Sequence, residues 1–174
     1  MMRFGFKLTT FLLVFASGLS MLSLNAQQTY TSGKVDYTVE FPSAMWRLVG
    51  EPDDTHQYAE WIYGDRLDGY LRIRKEVLDP DLSISDFAHR DQDTRIRFLP
   101  GYLDVGKEEK FAGRLSGVIL SYEFTQTGKT MSGRTYYLQA DSRTVYVLRF
   151  TGLRNKLAVI RNQTDQIARS FKLK

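Results

Sequence analysis

Few residues in this sequence stand at spacings that do chemistry. His56 and His89 are its only histidines, too far apart for a local two-histidine metal motif. Asp53-Asp54-Thr55-His56 gathers three possible ligands, and His89-Arg90-Asp91-Gln92-Asp93 alternates them. A metal ion needs donors converging in a fixed geometry, which a turn or a solvated helix face does not supply by spacing alone. No metal is therefore expected. Gly128-Lys129-Thr130 looks like the end of a phosphate-binding loop, but the motif requires a glycine where Glu123 stands and a helix where a strand is expected. No Gly-x-Ser-x-Gly elbow is present. The absence of cysteine excludes thiol catalysis, disulfides and cysteine-ligated zinc or iron–sulfur sites. The acid pairs Asp53/Asp54 and Asp79/Asp81 adjoin prolines and act first as turn formers. No catalytic residue and no cofactor is expected, although a Ser/His/acid triad assembled in space stays open.

What remains is a candidate binding face. Two strands are expected at 57–63 and 70–78, around the turn-rich 64–69. Side chains alternate along a strand, so Ala59, Trp61 and Tyr63 share a face with Leu71, Ile73 and Val77. The opposite face carries Tyr58, Glu60 and Ile62 against Tyr70, Arg72, Arg74 and Glu76. In either of the two plausible registers Glu60 lies opposite Arg72 or Arg74, a cross-strand pair contributing roughly 0.2–1 kcal/mol. Glu60, Tyr70, Arg72 and Arg74 are the residues expected to form an exposed contact patch.

The elements that position this face follow from periodicity. Residues 35–41 alternate as a half-buried strand, Pro42-Ser43 ends it, and 45–49 resumes around Trp46. Ser83 and Asp86 resemble a capping box opening a helix over 84–98, closed by Pro100-Gly101. Its apolar stripe, Ile84, Phe87, Ala88 and Phe98, is interrupted on the same side by Asp91 and Arg95. Such a pair costs more than it returns in an interface unless fully hydrogen-bonded, so this helix is expected to lie loosely on the sheet. Residues 103–111, 115–126, 130–140 and 143–151 read as strands, the last three as a hairpin-connected meander. Leu153, Leu157, Ile160, Thr164, Ile167, Ala168 and Phe171 form the stripe of a closing helix with Asn155 as its cap. Tyrosines concentrate on the strands, as β-propensity alone produces. The order of elements is that of an α+β domain.

Composition places the chain in a compartment more readily than in a reaction. It has 174 residues, 43% hydrophobic and 25% charged, which suits one globular domain. Arg3 and Lys7 precede an apolar run from Leu8 to Leu24, and Leu24-Asn25-Ala26 offers a small residue before a cut. That is the secretory-signal pattern, giving a leader over 1–26 and a domain over 27–174. An uncleaved anchor is the competing reading, since the run is about long enough to span a bilayer. Hydroxyl residues and Gly18 make it weakly apolar for that role, and no lipid-bearing cysteine follows. The whole chain carries 24 basic against 20 acidic residues; without Arg3 and Lys7 the balance is 22 against 20. A formal +2 with interspersed signs gives no field to attract a phosphate backbone, so nucleic acid is not an expected partner.

Tyr37-Thr-Val-Glu-Phe41-Pro42 followed by Trp46, Phe111-Ala-Gly113 leading into a long strand, and Ile167-Ala-Arg-Ser170-Phe171 together resemble the PsbP-like superfamily. The resemblance implies an α/β/α sandwich, an antiparallel sheet with helices on both faces. That superfamily has no common catalytic constellation, and its best-known members bind other proteins. The expected role is a non-enzymatic accessory module, exported to the periplasm or beyond the cell, that docks on an envelope or secreted protein. The alternative is a small-ligand carrier or hydrolase with a site between sheet and helix, built from tyrosines and His89.

Overall fold

A computed structural model describes residues 27–174; the expected leader over 1–26 lies outside the described residues. Two antiparallel sheets and three helices make up an α+β fold. The larger sheet contains β3 (Trp46–Gly50), β4 (Tyr58–Tyr63), β5 (Asp65–Val77), β10 (Thr144–Leu153), β9 (Lys129–Gln139), β8 (Ser116–Gln126) and β6 (Leu103–Asp104) in that spatial order, with β7 (Glu109–Ala112) also paired to β8. The smaller sheet joins β1 (Gln28–Tyr30), β2 (Tyr37–Phe41) and β11 (Lys172–Leu173).

The strands obey the alternation read from the residues. Tyr37, Val39 and Phe41 are buried while Thr38 and Glu40 are half-exposed. The meander β8–β9–β10 forms as expected, its first turn a two-residue loop in which Thr127 and Gly128 both take positive φ. That conformation matches the twist of a tight hairpin. Two segments depart from the expectation. Residues 65–69 are not a loop: β5 starts at Asp65, Gly64 alone turns the chain with φ 63°, and a register shift between Ile62 and Tyr63 absorbs the irregularity. Residues 103–111 are not one strand but the short β6 and β7 on either side of a bend at Gly106, whose φ is 84°.

Helix α1 (Ile84–Arg95) begins as predicted, with the Ser83 hydroxyl accepting from the Asp86 amide at 3.1 Å and donating to its carboxylate at 2.6 Å. It ends three residues early, leaving Phe98 outside the helix and 83% exposed rather than on its buried stripe. The closing helix is two helices, α2 (Arg154–Val159) and α3 (Arg161–Ser170), interrupted at Ile160. The backbone of Ile160 sits at φ −96°, ψ 11°, and its carbonyl accepts from both Gln163 and Thr164. Asn155 is not the cap: α2 starts at Arg154, with Leu153 in the cap position and no side-chain cap hydrogen bond.

Apolar packing gathers in separate clusters. Phe41, Trp46, Trp61, Tyr136, Leu138, Tyr146, Leu148 and Phe150 pack with Leu157, Ile160, Ile167 and Phe171 from the closing segment. Tyr137, Val145 and Val147, which alternate with those strand residues, pack instead with Leu78, Phe87 and Ala88. No helix among the described residues is long and apolar enough to cross a membrane.

Candidate functional site

The β4–β5 hairpin settles the register of the candidate patch. Glu60 pairs directly with Arg72, Ile62 with Tyr70 and Tyr58 with Arg74. Directly paired residues share a sheet face, so all six stand together there, yet they divide into two groups with different chemistry.

The first group is half-exposed. Arg72 donates to Glu60 Oε1 from Nη2 at 2.9 Å and from Nε at 3.2 Å, and the Tyr70 hydroxyl donates to the same oxygen. Arg72 Nη2 also lies 3.0 Å from the Tyr70 hydroxyl. Its guanidinium covers the ring of Tyr58, with Cζ 4.1 Å from the centroid, while Arg66 covers Tyr70 at 4.2 Å. Each stacked cation contributes about 0.5–1 kcal/mol at an exposed site. The result is two guanidinium groups placed over two tyrosine rings, with Arg72 36% exposed and Glu60 17%. Such side chains have already lost much of the rotamer freedom that binding would otherwise cost.

Arg74 belongs to the second group and leaves the patch. It is buried at 9% exposure, its Nη2 donating to Asp91 Oδ1 at 2.5 Å and its Nε to Glu76 at 2.6 Å. Asp91 reaches down from α1 and is itself buried, at 2% exposure. Its second oxygen accepts from Arg149 Nη2 at 2.6 Å and from the Tyr137 hydroxyl at 3.0 Å, and Arg95 Nε adds a contact to Oδ1 at 3.1 Å. The helix therefore does not lie loosely: the apparent i, i+4 surface pair is one edge of a buried network whose carboxylate is fully hydrogen-bonded. Burial works to lower the pKa of Arg74, and the charges and hydrogen bonds of Asp91 and Glu76 outweigh it, leaving it above its ordinary value. Burial, reinforced by the Asp91 charge, pushes Tyr137 well above the ordinary phenol range.

The two groups touch at one point. Arg72 is paired across strands with Arg149, and like charges directly opposite are destabilising. Each cation is supplied with its own carboxylate, Glu60 for Arg72 and Asp91 for Arg149. Helix α1 packs over β8 and β9, whereas Tyr58, Glu60, Ile62, Tyr70 and Arg72 on β4 and β5 are only half-buried. Arg66 and the stacking role of Tyr58 escaped the sequence reading, the former because residues 64–69 read as a loop.

The residues proposed for a site between sheet and helix do not assemble one. Tyr122, Tyr136, Tyr137 and Tyr146 are essentially fully buried and fill the cores. His89 lies at the surface, its Nε2 3.2 Å from Glu108, and His56 Nδ1 stands 3.4 Å from Asp53.

No protein-family profile and no curated protein sequence matches the chain. Solved structures do. LpqN of Mycobacterium tuberculosis, described as involved in cell envelope biogenesis, superposes with a TM-score of 0.55 at 16% identity, over 86% of this chain and 92% of its own. The cyanobacterial PsbP of Synechocystis gives 0.58 at 11%, over 91% and 99%. Mog1, in the form of a point variant, gives 0.61 at 9%, over 85% and 96%. At such identities the likeness is one of fold, and the chain carries the fold common to PsbP, Mog1 and LpqN.

Proposed function

We propose that the chain is a non-enzymatic accessory module that docks on a protein of the cell envelope through the half-exposed face of β4 and β5. One observation carries this reading: Arg72 lies over Tyr58 and is hydrogen-bonded to Tyr70, and Arg66 lies over Tyr70, on a half-exposed surface of β4 and β5. Arginine and tyrosine are the side chains over-represented at protein interfaces and in their energetic centres. Glu60, Tyr70 and Arg72 form the recognition group, and Arg74 supports it by fixing β5, the strand that carries Tyr70 and Arg72, to α1.

The proposal includes a leader over residues 1–26 that is removed on export to the periplasm or the exterior, and a single domain over 27–174. It also includes a three-layer α/β/α arrangement. The alternation of Tyr136, Tyr137 and Leu138 between the closing helices and α1 supports helices on both faces of the large sheet. The description of LpqN as an envelope-biogenesis protein supports the compartment.

The test is in-cell crosslinking of the tagged protein in its own host, followed by identification of partners in the envelope fraction. A single stoichiometric protein that is retained by wild type and by Lys110→Glu but lost from Arg72→Glu and Tyr70→Ala is the expected result. Equal recovery with all variants, or no partner at all, overturns the reading.

A further inference from the structure

Beyond that docking face, a cleft of about 520 Å³ opens between strands β8 and β9 and the closing helical segment. Its floor is Arg134, only 8% exposed, with Ser121 and Ser132 beside it. Arg134 is rigid: Nε donates to the Tyr136 hydroxyl at 2.9 Å, Nη1 to Glu109 at 2.9 Å and Ser121 at 3.2 Å, and Nη2 to Glu109 at 3.3 Å. The rim is different. Arg154, Leu157 and Ala158 lie on α2 at the i, i+3, i+4 spacing that places them on one side of a helix, Arg161 opens α3 just beyond the break at Ile160, and all four line the cleft. Neither rim arginine makes a close hydrogen bond among the described residues. Arg154 is 3.6 Å from Glu123 and Arg161 is 3.6 Å from Glu109, and both side chains are more than half exposed.

Three guanidinium groups line the cleft, and Arg134 is already met by Glu109 and, at 3.5 Å, by Asp165. Two of the three still hold nearly all their donors free, and Leu157 and Ala158 supply an apolar wall between them. A pocket of a few hundred cubic ångströms with an apolar wall and a few converging polar groups is the ordinary form of a small-molecule site. Guanidinium groups with unused donors bind carboxylate or phosphate by charge-assisted, often bidentate, hydrogen bonds. We infer that this cleft binds a small organic anion that carries an apolar chain, the anionic group between Arg154 and Arg161 and the chain along Leu157 and Ala158. Arg134 is spent on its own neighbours and acts by holding the floor, not by contacting the ligand directly.

Octyl phosphate is a suitable probe, compared by calorimetry with inorganic phosphate and with octanol on the protein lacking its leader. The expected result is saturable binding of octyl phosphate about tenfold or more tighter than either control. Arg154→Gln with Arg161→Gln is expected to weaken it by at least about tenfold, and Ala158→Trp to abolish it by filling the wall. Both changes are at exposed positions, so thermal melting should show them folded. Equal binding of octanol and octyl phosphate, or affinity unchanged in the paired arginine variant, overturns the inference. Loss in Arg72→Glu but not in Ala158→Trp would overturn it too, because it would place the anion on the docking face.

Discussion

Ile167 and Ala168 of α3 meet the sheet among Phe150, Tyr146 and Phe171, whereas α1 meets it with Phe87, Ala88 and the carboxylate of Asp91. Apolar contact is non-directional and tolerates small shifts. A buried carboxylate is expensive to desolvate and is repaid only if each of its acceptor positions finds a donor in good geometry. Asp91 has four such donors, Arg74, Arg95, Arg149 and Tyr137, three of them from strands β5, β9 and β10. Helix α3 is therefore held mainly by area, supplemented by neutral hydrogen bonds such as Trp46 to Gln163 at 3.0 Å and Tyr136 with Thr164 at 2.9 Å, and α1 by a buried charge. The charged fastening fixes the position of α1 to within a hydrogen bond, and it also anchors the strand from which the half-exposed arginine patch projects.

That contrast can be broken most severely at Asp91. Asp91→Ala leaves three cations around an empty position and should cost about 3–5 kcal/mol, measured by urea unfolding. Phe150→Ala on the other fastening should cost a similar 3–5 kcal/mol, roughly, through lost contact and the cavity left behind. A cost below about 1 kcal/mol for Asp91→Ala would mean that α1 is held by Phe87 and Ala88 alone. Tyr137→Phe removes one donor to a charged acceptor and should cost about 1.5–3 kcal/mol, with the double variant Asp91→Ala/Tyr137→Phe less than additive.

Much of the fold that frames this contrast was legible in the residues. The β4–β5 face alternates cleanly, and Glu60 does stand opposite Arg72. The anchor was not legible, because Asp91 and Arg95 at i, i+4 look like a surface pair until the other partners are known. Those partners are 17, 46 and 58 residues away in sequence, and no local pattern joins them. Ile160 was hidden for the opposite reason: the apolar stripe continues at 3.6-residue spacing through the break, so periodicity alone draws one helix.

Smaller effects sharpen the comparison. Hydrogen bonds from Arg134 hold Glu109 below the usual glutamate range, burial opposing them only in part. A carboxyl with a depressed folded pKa adds stability that is fully present above its unfolded pKa and is lost as pH falls through the folded one. Wild type should therefore lose urea resistance on acidification in a window that Glu109→Gln narrows; identical pH profiles would show that Arg134 needs no counter-ion. Smaller still, Arg72→Glu should cost about 1–2 kcal/mol, since it removes a half-exposed pair and one stacked cation and sets a like charge opposite Glu60, while still abolishing docking. A large loss of stability there would move Arg72 from the patch into the anchor.

The smaller sheet carries a consequence for the order of assembly. Strand β11 pairs with β2, Lys172 against Thr38 and Leu173 against Tyr37, and the Lys174 amino group donates to the carbonyl of Val35 at 2.8 Å. Strand β2 is therefore flanked by β1 and by a segment that leaves the ribosome after the whole large sheet. Closing a loop of that length costs entropy that grows with its logarithm and must be met before the contact returns anything. The meander and hairpins can form early from local pairings, but the chain's two described ends lock only last. A polypeptide still missing residues 171–173 would leave Tyr37, Val39 and Phe41 short of their partner Phe171, and so would remain loosely folded until the last few residues arrive.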